Sequence, residues 1–370
     1  MSDTKRSDPA YHDNLITYLR AMLSRALRSP GELPGLISRT RHLISVAIRG
    51  EKLRARKREE LGVPVPFFCI FSVTWRCNLN CRGCYAMNYS PGTELSTDEI
   101  CDVIDQCCRL GIYFFVIAGG EPLLVPGLPE RLASFRKAFF LFYTNGTLLE
   151  RNLEVLSNAG NILPVISVEG LDHYTDLRRG KGVAEKVETA MKLLKDNRVP
   201  FGFSTMITHA NLKDVTSGEW MRRQWERGAR FGFFTDYIPF RKNLDESFIL
   251  TDEDREYKEA ELEKRRAEAR PPIFNLPADE YRNGQCMAAG KGMIHINANG
   301  YVEPCPYSHF AADNIKDKPV SDVLRAGFLR ELRELVLSLD NPRKECMLFS
   351  NEEEVSRVAA ETGAARTEGL

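Results

Sequence analysis

The chain has 370 residues, 43% of them hydrophobic, and 51 Lys plus Arg balance 51 Asp plus Glu, so its formal charge is zero. Such a composition fills a core, which excludes a disordered or fibrous chain, and no global field draws the protein to nucleic acid or membrane. Apolar runs such as Ile112 to Ala118 and Phe139 to Tyr143 fall far short of the ~20 residues that span a bilayer. The opening MSDTKRSDPAYHDN lacks the apolar core of a secretory signal, so a cytoplasmic protein is expected.

Residues 1–63 read as a basic helical region. Leu15, Leu19, Met22, Leu23 and Leu27 recur at helical spacing, as do Leu36, Ile37, Leu43, Ile44 and Ile48, with a turn at Ser29-Pro30-Gly31 between them. From Arg20 to Arg58 eleven Lys or Arg stand against two Glu. This is either a solvated face or an amphipathic surface for peripheral contact with anionic lipid or an acidic partner.

From 64 to 270 short β-rich runs alternate with amphipathic segments. Strands are expected near Phe67 to Thr74, Tyr113 to Ala118, Phe139 to Tyr143, Pro164 to Val168, Phe201 to Met206 and Phe231 to Ile238. Helices are expected around Thr97 to Leu110, Pro129 to Lys137, Leu148 to Ala159, Val183 to Asn197, Leu212 to Arg227 and Asp252 to Ala269, with Ser96 and Glu99 spaced as a capping box. Strict alternation argues for an α/β chain of parallel strands and crossover helices. Periodicity leaves a doubly wound sheet and an incomplete barrel both open. Pro271-Pro272 marks the start of a C-terminal module over 271–350, followed by a polar tail at 351–370 read as a helix that frays.

The ten cysteines carry the chemistry, because reducing cytosol leaves burial, metal ligation or catalysis as their roles. Cys69, Cys101, Cys107 and Cys108 sit in apolar or helical patterns and read as small buried hydrophobes. Cys77, Cys81 and Cys84 lie within eight residues, directly after the first strand. In parallel α/β folds the loops at the carboxyl ends of strands carry the site. Three soft thiolates there suit an iron–sulfur cluster or zinc, although structural zinc takes four ligands.

The Cys-x3-Cys-x2-Cys spacing with Tyr85 after the last cysteine resembles the signature of radical S-adenosylmethionine (SAM) enzymes. The resemblance implies that Cys77, Cys81 and Cys84 hold a [4Fe–4S] cluster whose open iron binds SAM. A low-potential donor of the flavodoxin or ferredoxin type then drives cleavage to a 5′-deoxyadenosyl radical that abstracts hydrogen from substrate. Gly119-Gly120-Glu121-Pro122 looks like the family's GGEP motif at the amino end of SAM, and Thr144-Asn145-Gly146-Thr147 is similar to its TNG turn. Ser167 resembles the residue that meets the ribose, and Arg179, next to Arg178, the one that pairs with the SAM carboxylate. The implied fold is a partial (β/α)6 TIM-type barrel with a helical N-terminal region and a small C-terminal extension.

Cys286, Cys305 and Cys346, with the run Gly300-Tyr301-Val302-Glu303-Pro304-Cys305, resemble a truncated SPASM extension. This implies at most one auxiliary iron–sulfur cluster, its fourth ligand coming from His295, His309, another cysteine or substrate; zinc with an added histidine is the other option. The partial extension points to a peptide or protein side chain as substrate, with a haem precursor or a lipid as further options. Asp236, Tyr237 and Arg241 end the sixth strand, and Glu169 stands beside Ser167, all within reach of such a cavity. The competing class is a noncatalytic iron–sulfur or zinc protein, which leaves the order of the later motifs unexplained.

Overall fold

The computed structural model describes residues 34–89, 92–240, 244–268, 271–282, 286–341 and 345–368. The expected helix around Leu15 to Leu27 and the side chain of Arg241 lie outside these residues. The six expected strands are present as β1 (Phe68–Ser72), β2 (Phe114–Ala118), β3 (Phe139–Thr144), β4 (Ile162–Ser167), β5 (Gly202–Ile207) and β6 (Gly232–Asp236), all parallel. The sheet does not stop at Pro271-Pro272. Strand β7 (Ile273–Leu276) adds in parallel to β6, β8 (Met293–Ile296) adds in parallel to β1, and β9 (Val302–Glu303) turns back antiparallel on β8. The order β7-β6-β5-β4-β3-β2-β1-β8-β9 makes an open, curled barrel with helices outside.

Alternation along each strand separates two faces. Cys69, Phe71, Phe115, Ile117, Phe140, Phe142, Phe203 and Phe234 point outward into the main core with the helices. The inward set includes Phe68, Phe114, Phe139, Leu163 and Phe274 at or near the amino ends of their strands, while Ala118, Tyr143, Ser167 and Thr235 stand near the carboxyl ends.

The helix Pro34–Leu61 closes the amino end of the barrel. Its Val46 packs with Phe139, Leu141, Leu163, Val165, Phe231 and Phe274. Arg39 fastens it by donating to the carbonyls of Leu156 (3.0 Å) and Ala159 (2.8 Å), at the end of the helix Leu153–Asn158, and of Ile162 (3.2 Å), the first residue of β4.

Helix Thr97–Arg109 carries the expected capping box of Ser96 and Glu99. Two expected helices are broken instead. Residues 148–159 form a 3₁₀ turn, Leu149–Asn152, before the short helix Leu153–Asn158. The span 212–227 is interrupted where the Ser217 hydroxyl accepts from the Trp220 amide and starts a second helix, Gly218–Glu226. The segment expected to fray is instead tied down through Arg366: after the helix Glu352–Thr362 turns at Gly363 (φ +73°), Ala365–Arg366 pair antiparallel with Phe310–Ala311. Among the described residues no helix is long and apolar enough to cross a membrane.

Candidate radical SAM site

The loop after β1 carries Cys77, Cys81 and Cys84, and none of the ten cysteines is in a disulfide. Two backbone devices shape this loop. Gly120 donates to the Thr74 carbonyl at 2.6 Å and Glu121 to the Arg76 carbonyl at 2.9 Å, stitching the loop after β2 to the cysteine loop. The approach is so close that a Cβ on Gly120 would stand 2.1 Å from the Arg76 oxygen and one on Gly119 2.4 Å from that of Thr74. Here both glycines serve loop-to-loop packing.

Glu121 is fully buried and is not among the cavity-lining groups. Its carboxylate accepts from the Thr144 hydroxyl (2.8 Å) and the amides of Asn145 (2.8 Å) and Leu123 (3.1 Å). A buried carboxyl needs such donors, and through them Glu121 fixes the TNG turn against the loop after β2. That turn in turn holds Asn145, whose side-chain amide donates to Asn78 Oδ1 at 2.9 Å and lies 3.9 Å from Cys77 Sγ.

Tyr85 faces the cavity and is edge-on to Trp75, with ring centroids 6.4 Å apart. Its hydroxyl is 3.1 Å from Ser72 Oγ, which is 2.8 Å from His295 Nε2, while His295 Nδ1 is 2.7 Å from Glu303. Both ring nitrogens of His295 are thereby engaged, by Ser72 and Glu303.

At the end of β4, Ser167 lines the cavity beside Glu169, Arg178 and Arg179. Glu169 Oε1 accepts from Arg178 Nη1 at 2.5 Å and from Arg179 Nη2 at 2.5 Å and Nε at 2.9 Å, while Oε2 accepts from the Met206 amide at 3.0 Å. Two guanidinium groups against one carboxylate leave one net positive charge beside the thiols. Burial pushes the Cys77 thiol up to about 11 and raises Cys84, whose rise is opposed by Arg178.

The residues fit the cofactors. Arg178 Nε is buried without a partner, a donor at the cavity edge suited to a carboxylate. Among the described residues no three His, Cys, Asp or Glu converge where one metal ion would sit. Zinc needs such convergence, whereas in a cubane each thiolate takes a different iron.

The second cysteine set follows β7 in the chain: Cys286 precedes β8, Cys305 follows β9, and Cys346 precedes the helix Met347–Ser350. Cys286 and Cys305 are buried and Cys346 is partly so; burial raises all three thiols above the ordinary cysteine value, and the nearby Glu280 adds to each rise. Glu280 lines the cavity, accepts from the Met287 amide at 3.1 Å, and is pushed up to about 7 by burial. Sequence reasoning missed it; the available signal was a carboxylate six residues before Cys286. His309 is occupied on both ring nitrogens, by Glu368 and the Pro306 carbonyl. Asp236 is buried against Lys258 (2.6 Å), and the Tyr237 hydroxyl accepts from the Asp245 amide (2.9 Å). The cavity instead takes Thr235, Ile238 and Phe240 from that segment.

The family model described as the radical SAM superfamily matches residues 71–217. The chain belongs to that superfamily. A second model, the SPASM iron–sulfur cluster-binding domain, matches residues 286–347. Among curated proteins, this radical SAM chain is 26% identical over 302 residues to the AdoMet-dependent heme synthase of Methanosarcina barkeri, covering 73% of this chain and 85% of that protein. It is 27% identical over 280 residues to the sporulation killing factor maturation protein SkfB of Bacillus subtilis, covering 73% and 67%. Its fold is similar to native anSMEcpe with bound AdoMet and Cp18Cys peptide (TM-score 0.61, 21% identity, 77% of this chain and 87% of that one). It is also similar to Streptococcus suis SuiB bound to precursor peptide SuiA (TM-score 0.62, 14% identity, 73% and 67%). As a member of the superfamily it is an enzyme that uses a [4Fe–4S] cluster and SAM, and the SPASM-type extension is of an iron–sulfur-binding kind.

Proposed function

We propose that this enzyme abstracts hydrogen from an aliphatic carbon of a substrate whose apolar segment lies in the barrel, with Cys77, Cys81 and Cys84 holding the cluster. When bound, the cluster and SAM supply the electron and the hydrogen-abstracting 5′-deoxyadenosyl radical. The chain's own residues position and shield. Arg178 and Arg179, oriented by Glu169, present donors for the SAM carboxylate; Ser167 stands where a ribose hydroxyl would be met, and Asn145 braces Cys77. Cys286, Cys305 and Cys346 are proposed to hold the auxiliary cluster, with Glu280 as the carboxylate beside it. Hydrogen abstraction needs no acid or base, which suits a cavity whose walls are almost all carbon.

The observation that carries this reading is the cavity itself, about 420 Å³ and lined mainly by apolar side chains from Leu43 at the floor to Cys77, Cys81 and Cys84 at the carboxyl end. Among the described lining residues the cations are Arg178 and Arg179, both paired with Glu169. A haem precursor, with its several carboxylates, finds no further cationic partner among these described residues. A hydrocarbon segment meets the demand, and the names of SkfB, SuiB bound to its precursor peptide, and anSMEcpe with a bound peptide make a peptide side chain the second carrier to test. The test is anaerobic reconstitution with iron and sulfide, then reduction with dithionite in the presence of SAM. Release of 5′-deoxyadenosine is expected, and a colourless, zinc-only protein that leaves SAM intact would refute the reading.

A further inference from the structure

The interior of the barrel is graded along its axis. Near the cysteine loop it offers Tyr143, Ser167, Glu169, Arg178, Arg179, Ser204 and Thr235; toward the floor it is mainly hydrocarbon and aromatic ring. Two aromatic walls face this lower part. On one side Phe114 stacks on Phe67 (ring centroids 5.8 Å) and on Phe139 (6.0 Å, planes 5° apart); on the other Phe233 stacks on Phe274 at 4.6 Å. Phe68, Ile70, Phe114, Val116 and Phe233 remain only half-buried although they are central inward positions of the sheet. An extended peptide carries a donor and an acceptor at nearly every residue, and among the described residues the lumen beside Phe233 offers only the Ser204 hydroxyl to pair them. A methylene chain has no such need, and each methylene moved from water into this lining is favoured.

The floor gives a second, independent indication. The helix Pro34–Leu61 sends Leu43 into the lumen, and its outer face exposes Arg41, Arg49, Lys52 and Arg56 with Ile44 and Ile48, the last 51% exposed. Cations interleaved with large aliphatics on one helix face match an anionic lipid surface.

Resting on the radical SAM reading above, we infer that the lower lumen is a binding site for the hydrocarbon chain of a neutral lipid, an acyl or isoprenoid chain, whose carbons near the Ser167 level are presented to the radical.

The experiment uses the full-length reconstituted enzyme, in the presence of SAM, and a hexadecanol carrying a diazirine on its chain. On illumination, labelling is expected on strands β2, β3 and β6, centred on Val116, Leu141 and Phe233, and unlabelled hexadecanol should abolish it. Val116→Trp, which fills the lumen, should lower labelling by about tenfold; Phe233→Trp, from the opposite wall, gives the same reading if Val116→Trp does not fold. Both should keep the iron content and the dithionite-driven SAM cleavage of the parent. Labelling confined to the surface, labelling untouched by either tryptophan, or displacement by a Phe- and Leu-rich peptide but not by hexadecanol would each overturn the lipid assignment. SAM cleavage measured on the same samples separates the two claims: intact cleavage without lumen labelling sinks only the lipid site, whereas absent cleavage sinks the radical SAM reading.

Discussion

Glu169 and Arg179 form a pair in which one carboxylate oxygen, Oε1, takes two donors of a single guanidinium while also accepting from Arg178. The carboxylate is 1% exposed, so this triad is a buried charge cluster with a net charge of plus one. Removing one member of such a cluster leaves uncompensated charge. Glu169→Gln is expected to cost about 3 kcal/mol of stability, read as a shift in the urea midpoint, and to weaken SAM binding as both arginines lose their anchor. An unchanged midpoint would mean the cluster is not held as described.

The contact between Gly120 and Arg76 makes a sharper test of the loop stitching. An alanine at 120 has its Cβ against main-chain oxygen rather than a movable side chain, so the loops must part. Gly120→Ala should lower bound iron after reconstitution, whereas Gly160→Ala, with open space around its Cβ, should load normally. Equal iron in the two variants would contradict the stitching.

The cysteines divide into ligating and packed sets. Cys81→Ala should abolish the SAM-responsive cluster signal. Cys108→Ala should leave it intact, since that thiol packs at the edge of the outward core. Replacing Cys286, Cys305 and Cys346 together should lower the iron content by one cluster's worth while sparing the SAM-responsive signal; undiminished iron would refute the auxiliary site.

Glu280 gives a pH signature in the metal-free chain. Its carboxyl rises from 4.5 in the unfolded chain to about 7 when buried, so the folded state binds the extra proton between those values. Stability from this group is therefore full below the unfolded pKa and is lost as pH climbs toward 7, by about 3 kcal/mol in all. Urea titrations of metal-free protein at pH 5 and pH 7.5 should show that decline, and Glu280→Gln should flatten it. A parent chain with no decline would contradict the burial of this carboxyl.

Much of this architecture was legible in the sequence, for reasons that particular residues make plain. The six strands announce themselves as β-branched and aromatic runs, and the thiols of Cys77, Cys81 and Cys84 follow the first of them directly. The lumen was harder to read. Phe114, Val116 and Ala118 alternate with Phe115 and Ile117, but both faces are apolar, so the period of two that separates lumen from outer core is hidden. The same ambiguity put Asp236 and Tyr237 near the cavity, where Thr235 and Ile238 actually face it. Strands β7 and β8 are not legible because four residues are too few for a pattern, and Glu280 because its place on the cavity wall depends on the fold.

The terminal strand carries a practical consequence. Thr367 donates to Glu303, the carboxylate that also holds His295 and, through Ser72, Tyr85 beside the cysteine loop. Replacing Thr367 by valine would therefore remove one donor from a hydrogen-bonded line that runs from the far edge of the extension to the cysteine loop, so a change 64 residues away in the chain from Glu303 reaches the cluster-binding residues.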